Sequence, residues 1–290
     1  MIRLGLALIR LLHLLPLAML APIGAALGML LYALARARRR VVLTNLRLCF
    51  PQLREDERRR LARRHFRAFG RSVLERGILW WGSAEEIRAL VRIEGLENWC
   101  DITDAPVILL APHFVGLDMG GLRLGAENFT LNSVYSRQKN AAVEALFLQS
   151  RTRFGQSRLF ARQDGIRPMI KSLKSGEPCY YLPDMDLGAR DSVFAPFFGV
   201  EAATITGLSR IAQITRAVIV PCVTRQLPGS AGYVVRLYPA WRDFPGGDPA
   251  ADAQRMNAFI EERVREMPEQ YYWLHKRFKT RPAGAPNPYE

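Results

Sequence analysis

Apolar positions fall into three regimes along this chain. From Leu11 to Ala35 they run for 25 residues without a charged side chain, long enough to reach across a bilayer's hydrocarbon core of about 30 Å with some tilt. Pro16 and Pro22 interrupt the run, so it either spans or folds into a re-entrant or surface-lying pair of short helices. From Glu55 to Trp81 the apolar residues, Leu61, Phe69 and Val73 among them, recur at helical spacing. The other faces carry Arg58, Arg59, Arg60, Arg63, Arg64, Arg67 and Arg71, and Trp80 with Trp81 closes the stretch. A basic helix ending in paired tryptophans is either a solvated surface helix or one that meets a membrane interface.

The third regime alternates. Five apolar residues, Val107 to Ala111, predict a buried strand that ends at Pro112-His113, and Gly116 to Gly125 reads as a helix whose glycines let a ligand or backbone come close. Strands then follow at Leu131 to Tyr135, Ser157 to Phe160, Cys179 to Leu182, Val193 to Phe198 and Val218 to Thr224, separated by helices near Ala141 to Arg153, Ile166 to Lys174 and Thr204 to Thr215. Pro228 to Gly232 turns the chain into Tyr233 to Tyr238, a hairpin at the sheet edge. Helices from about Ala250 to Met267 and Glu269 to Lys276 end the fold. This is an α/β pattern, a largely parallel mixed sheet flanked by helices. With no repeat and no linker past residue 40, it predicts a membrane anchor over residues 1–40 and one catalytic domain over 41–290.

Charge changes the picture at the anchor. The chain carries 41 basic and 27 acidic residues, a net +14, and residues 1–40 hold six arginines and no acid. Arg3 and Arg10 precede the apolar run; Arg36, Arg38, Arg39 and Arg40 follow it at once. That run is too long for a cleaved signal peptide, and its heavier positive flank lies toward the domain, which places the domain in the cytoplasm. The remainder is basic too, a surface suited to anionic lipid, nucleic acid or an acidic protein. Nucleic acid is the least economical of these, because the apolar anchor beside the arginines accounts for them. Cys49, Cys100, Cys179 and Cys222 are dispersed, with no metal-ligand spacing and no disulfide framework.

Candidate chemistry gathers where strands end, because parallel sheets present ligands at their carboxyl edge. The residues there are His113, Arg137, Arg162, Asp184 and Asp186. His113, in the loop after a strand, and Asp118, in the first helical turn, can meet as a general base and its orienting carboxylate. Taken singly, the His-x-x-x-x-Asp pattern is also what a histidine capping a strand end would show. No nucleophile elbow, phosphate loop or dinucleotide fingerprint is present.

Several separated segments carry a resemblance: Arg40-Val-Val-Leu-Thr-Asn-Leu-Arg-Leu-Cys-Phe-Pro51, the His113 to Asp118 motif, Ala161-Arg-Gln-Asp164, Leu182-Pro-Asp-Met-Asp-Leu-Gly188, Val193-Phe-Ala-Pro-Phe-Phe-Gly199 and Glu269-Gln-Tyr-Tyr-Trp-Leu-His-Lys-Arg-Phe-Lys-Thr-Arg-Pro282. Together they resemble the late acyltransferases of lipid A synthesis, the lauroyl and myristoyl transferases within the wider glycerolipid acyltransferase group. One departure is Asp118, where many lipid A enzymes carry glutamate. The resemblance implies a glycerolipid acyltransferase-like fold. It also implies transfer of a fatty acyl group from acyl carrier protein to a hydroxyl of a Kdo-bearing lipid A precursor, in lipopolysaccharide synthesis at the bacterial inner membrane. The carrier thioester is the co-substrate, and no cofactor or metal is implied. His113 and Asp118 would form the base pair, Arg162 or backbone N–H groups near Gly116 the oxyanion donors, and Asp184 and Asp186 would orient the arginine or acceptor unless they merely cap the loop. Arg137, His275, Lys276, Arg277, Lys279 and Arg281 would bind the acceptor's acidic groups. Anionic membrane lipid is the third partner. The alternatives are an acyltransferase for a lysophospholipid or other glycolipid and, in another class, a non-catalytic membrane protein that binds lipid or carrier.

Overall fold

The computed structural model describes residues 2–138 and 140–290, with side chains from residue 5 onward, so the side-chain charge of Arg3 lies outside the described residues. The amino-terminal apolar stretch breaks where its first proline falls: α1 (Ile2–Leu12) ends in a turn, and α2 (Leu17–Leu34) begins after Pro16. α2 carries Pro22 within its first two turns and has mean hydropathy 2.0, enough by length and composition to cross a membrane. α3 (Arg36–Cys49) follows after one residue. The predicted helix over residues 55–81 is two helices, α4 (Glu55–Leu74) and α5 (Arg76–Trp81), with Glu75 at the joint. Glu55, Asp56 and Glu57 occupy the first turn of α4, and the Glu57 carboxylate accepts from the Arg54 N–H at 2.7 Å, a favourable charge at the helix start.

α6 (Ala84–Leu90), β1 (Val91–Glu94) and α7 (Glu97–Cys100) lead to β2 (Val107–Leu110) and α8 (Leu117–Ala126). Then come β3 (Ser133–Tyr135), α9 (Ala141–Thr152), β4 (Leu159–Ala161), α10 (Arg167–Lys174) and β5 (Cys179–Tyr181). β6 (Ser192–Phe197) and β7 (Val200–Ile205) form a separate antiparallel hairpin. α11 (Gly207–Thr215), β8 (Val218–Gln226), β9 (Tyr233–Leu237) and α12 (Pro249–Glu266) complete the regular structure.

The main sheet runs β1-β9-β8-β2-β5, with β8, β2 and β5 mutually parallel and β9 antiparallel to β8. Both faces of β2 are covered. Ile108 and Leu110 join one buried cluster with residues of α3, α4, α10, α11 and α12, while Val107, Leu109 and Ala111 join another with α6 and α8. A strand buried on both sides reads as a continuous apolar run, which is why five such residues marked it in the sequence. β3 and β4 extend the array through an isolated parallel bridge between Asn132 and Cys179. The carboxyl ends of β2, β5, β3 and β4 therefore face the same way.

The hairpin of β8 and β9 forms as expected, but β9 is not at the sheet edge: β1, a strand the periodicity did not mark, pairs parallel to it on its outer side. Two further segments differ from the sequence reading. Val200–Ile205 is a strand where only the following helix was expected; its partner β6 supplies the hairpin geometry that single-strand periodicity does not encode. Glu269 to Lys276 is not a helix. Its backbone is drawn into the loop after β2: the Val115 N–H donates to the Gln270 carbonyl and the Tyr272 N–H to the His113 carbonyl, both at 2.9 Å, around a bridge between Phe114 and Tyr271. Those tertiary hydrogen bonds replace the helical ones.

Candidate active site

The register of two strands sets the site. Leu110 of β2 pairs with Tyr181 of β5, and three residues beyond each pair member stand His113 and Asp184. Parallel neighbours keep equal offsets adjacent, and the prolines at 112 and 183 carry each chain out of its ladder. The Asp184 carboxylate accepts from the His113 backbone N–H at 3.0 and 3.2 Å and bonds to imidazole Nδ1 at 2.7 Å. Burial alone would raise the Asp184 carboxyl, but the His113 charge and its hydrogen bonds hold it below the usual carboxylate range. An ionised carboxylate only accepts, so Nδ1 carries the proton. Nε2 is left as the basic nitrogen, without a protein partner among the described residues. The His113 side chain is 21% exposed while that of Asp184 is 1% exposed, so the imidazole reaches solvent and the carboxylate behind it does not.

The carboxylate on the imidazole is thus Asp184's, and the expected His113–Asp118 hydrogen bond is not formed. Asp118 stands in the first turn of α8 and bonds to the Arg151 guanidinium at 2.5 Å, with Arg76 at 3.8 Å. Desolvation would raise the Asp118 carboxyl, but Arg151 and Arg76, and more weakly His113, hold it down. Two guanidiniums outcompete one imidazole for a partly exposed carboxylate. Neither arginine was picked out by motif reading, because each sits within an ordinary helical pattern.

Asp118, Arg76 and Arg151 form the polar end of an apolar cavity. Its other walls come from Leu79 and Trp80 of α5, Gly121, Leu122 and Gly125 of α8, and Leu131, Phe147, Phe154, Leu159 and Tyr180, around an empty volume of about 680 Å³ counting the open mouth. The α8 glycines divide the work. Gly120 leaves no room for a side chain because Thr224 of β8 abuts it, whereas Gly121 and Gly125 open the cavity toward Tyr180 and Phe154.

The remaining candidates separate by what they touch. The Asp186 carboxylate accepts from the Thr280 N–H and hydroxyl, both at 2.7 Å, and from the Gly188 N–H at 3.0 Å, while its own N–H donates to His275 Nε2 at 2.8 Å. It fastens the carboxyl-terminal segment and has no free oxygen for a substrate. His275 spends Nε2 on that bond, and burial with the nearby Arg277 charge drives its pKa to about 4. Arg277 is buried, bonding the Ala203 carbonyl and the Thr204 hydroxyl at 2.8 and 3.0 Å. Arg281 donates to the Glu201 carbonyl at 2.6 Å, and Lys276 lies over the Tyr289 ring. His275, Arg277 and Arg281 are structural contacts of the terminal segment, while Lys276 and Lys279 are both exposed. Arg137 and Asp164 form an exposed ion pair at 2.9 Å. Arg162 is exposed and has no side-chain partner among the described residues. It follows β4, three strand spacings or about 14 Å from β2, too far along the edge for an oxyanion next to His113. In the first turn of α8, which follows the His113 loop, the Leu117 N–H donates to the Phe114 carbonyl and the Gly120 N–H to the Gly116 carbonyl, which leaves those of Asp118 and Met119 as donors.

A histidine held by a buried carboxylate, with its other ring nitrogen free of protein partners among the described residues, in an α/β fold with an apolar cavity nearby, is an arrangement suited to acyl transfer. Comparison with known proteins agrees. Residues 1–280 match the family of bacterial lipid A biosynthesis acyltransferases, and the chain belongs to that family. It is 36% identical to the lipid A biosynthesis lauroyltransferase of Escherichia coli (strain K12) over 99% of this chain and 94% of the relative. The lipid A biosynthesis myristoyltransferase of the same organism is 32% identical, covering 93% of this chain and 84% of its own. Its palmitoleoyltransferase is 30% identical, covering 95% and 90%. Among solved structures, the 1-acyl-sn-glycerophosphate acyltransferase of Thermotoga maritima is 13% identical with a TM-score of 0.40, over 87% of this chain and 97% of that one.

Proposed function

We propose that the protein moves a lauroyl or myristoyl group from the thioester of acyl carrier protein to a hydroxyl of a Kdo-bearing lipid A precursor. The observation that carries this reading is the His113–Asp184 pair, with Nε2 free, beside a cavity whose walls suit an acyl chain. His113 Nε2 takes the acceptor's hydroxyl proton as the oxygen attacks the thioester carbonyl. The tetrahedral oxyanion is met by first-turn N–H groups of α8 and by the positive field of Arg76 and Arg151. Collapse breaks the C–S bond, and the imidazolium returns its proton to the leaving thiolate. No covalent acyl-enzyme forms, and neither a metal nor a cofactor takes part.

Asp184 fixes the tautomer and orientation of His113. Asp118 holds Arg151 and Arg76 at the cavity's polar end. Lys279, Arg162 and, on opening of its ion pair with Asp164, Arg137 are placed to meet acidic groups of the acceptor. The arginines at 36, 38, 39 and 40 suit the anionic cytoplasmic leaflet of the inner membrane, where the acidic carrier protein is also available.

The test is transfer from radiolabelled lauroyl and myristoyl carrier protein to the Kdo-bearing precursor, in membranes holding the native chain or His113→Ala. Product from the native chain, reduced at least about a hundredfold in the variant, is the expected outcome. Equal product from both would make His113 structural. Product only when the precursor is replaced by a lysophospholipid or another glycolipid would move the enzyme to the wider acyltransferase group.

A further inference from the structure

The most apolar helix of the chain is held against the catalytic body along its side and at both ends. α2, at 1.5 Å per residue, is about 27 Å long. Its buried residues Leu20, Gly24 and Gly28 fall on one face. A Cβ on Gly24 would lie 2.7 Å from the Arg71 Cα, and one on Gly28 would lie 2.9 Å from the Arg67 Cα. Tyr32 meets the Phe66 ring at 5.4 Å and the Arg63 guanidinium at 5.7 Å. From Gly24 to Tyr32 the partner therefore steps back from Arg71 to Arg63, so α2 and α4 run antiparallel in backbone contact.

The ends are fastened as well. Before α2, the His13 ring meets Trp81 at 5.3 Å in a tilted contact and lies against Gly77, both of α5, and Arg10 lies over Trp81 at 5.8 Å. After α2, Arg38 of α3 donates to the Leu274 carbonyl at 3.3 Å. A spanning α2 would put His13 and Arg38 on opposite sides of the bilayer, yet one body holds both. It would also carry Arg63 and Arg67, which are exposed beside α2, into the hydrocarbon, where a guanidinium is costly.

We infer that α2 does not cross the membrane: α1, α2 and α5 seat the enzyme in one leaflet of an anionic bilayer. The outward face of α2 is a continuous apolar stripe of Met19, Ile23, Leu30 and Leu34, continued on α1 and the turn after it by Leu8, Leu11 and Leu14, all exposed. The exposed rim is basic, with Arg36, Arg40, Arg63, Arg64 and Arg67, and α1 to α3 contain no acid. Apolar area with a single-sign cationic border is the complement of anionic headgroups over acyl chains. α5 links the seat to the site, because Arg76, Leu79 and Trp80 line the cavity while Gly77 and Trp81 carry α1. A lipid acceptor can then approach the cavity wall without leaving its leaflet.

The test compares sides within one cell's membranes and is independent of which acceptor is used. Cys100 is exposed on the body, and the other three cysteines are buried. In a Cys100→Ser background, Arg10→Cys and, separately, Arg36→Cys are treated with a membrane-impermeant maleimide in spheroplasts and in inverted vesicles, with native Cys100 as the body's reporter. One-leaflet seating has all three labelled in the same preparation and protected in the other. Labelling of Arg10→Cys in the opposite preparation from Cys100, or in neither, while Arg36→Cys follows Cys100, overturns it.

Discussion

Asp184 keeps 1% of its side chain exposed and holds one imidazole, whereas Asp118 keeps 26% exposed and holds two guanidiniums. Both carboxylates bear on His113, and both are held below the usual carboxylate range, but against burial by different opponents. At Asp184 the opposing groups are the two N–H donors of a single residue, a geometric constraint that leaves one tautomer and one ring orientation. At Asp118 they are two guanidiniums from separate helices at the cavity's polar end, a constraint on charge more than on direction. A carboxylate that holds a ring in one orientation is buried behind it. One that must organise a field can stay wet.

The sharpest way to break this comparison is Asp184→Asn. The amide cannot accept from both His113 donors without turning its own NH₂ toward one of them, so kcat should fall about a thousandfold or more, as removal of an orienting carboxylate does elsewhere. Acyl transfer within tenfold of the native rate would return the orienting role to Asp118.

Next in size is a contrast with the histidines that have no carboxylate on the ring. Burial drives His65 to about 4, and burial together with the Arg277 charge does the same for His275, against an ordinary 6.5. The folded state therefore refuses protons that the unfolded chain takes up. Stability is complete above about pH 6.5 and falls as pH drops toward 4, by up to about 3 kcal/mol for each fully buried group. Denaturant titrations at pH 7.5 and 4.5 should show the loss, and His65→Phe should reduce it. Equal stability at both pH values would refute it.

Asp118→Asn should be milder. His113 keeps Asp184, and the loss of one charge-assisted bond to Arg151, about 1.5 kcal/mol, corresponds to roughly a tenfold fall in kcat with increased salt sensitivity. A loss as deep as that of Asp184→Asn would make the two carboxylates equivalent. The smallest effect is expected in the cavity. Gly121→Leu places a side chain beside Tyr180 and shortens the space for a chain. Myristoyl transfer should fall relative to lauroyl transfer by about fourfold per displaced methylene, from about 0.8 kcal/mol of lost burial each. An unchanged chain preference would place the acyl group elsewhere.

Much of this arrangement was readable before folding. β2 is buried on both faces, so its apolar run announced a strand, and the prolines at 112 and 183 announced where strands end. His113 and Asp184 were singled out because strand ends in parallel sheets are where ligands go. The pairing of His113 with Asp184 was not readable, since the two are 71 residues apart and meet only through the β2–β5 register. Arg76 and Arg151 were invisible for the same reason. Glu269 to Lys276 misled because its local pattern is ambiguous, and its backbone partners lie in the His113 loop.

What the sequence determined by itself is local in origin: the apolar helix broken by proline, the basic helix beside it, the strand–helix alternation, and a histidine at a strand end. Each follows from the periodicity and backbone preferences of neighbouring residues. The tertiary structure alone decided which carboxylate holds the imidazole, which arginines surround the other, and whether the apolar helix stands free or lies on the body. Those outcomes depend on register and close packing between segments far apart in the chain, and no short-range pattern records them.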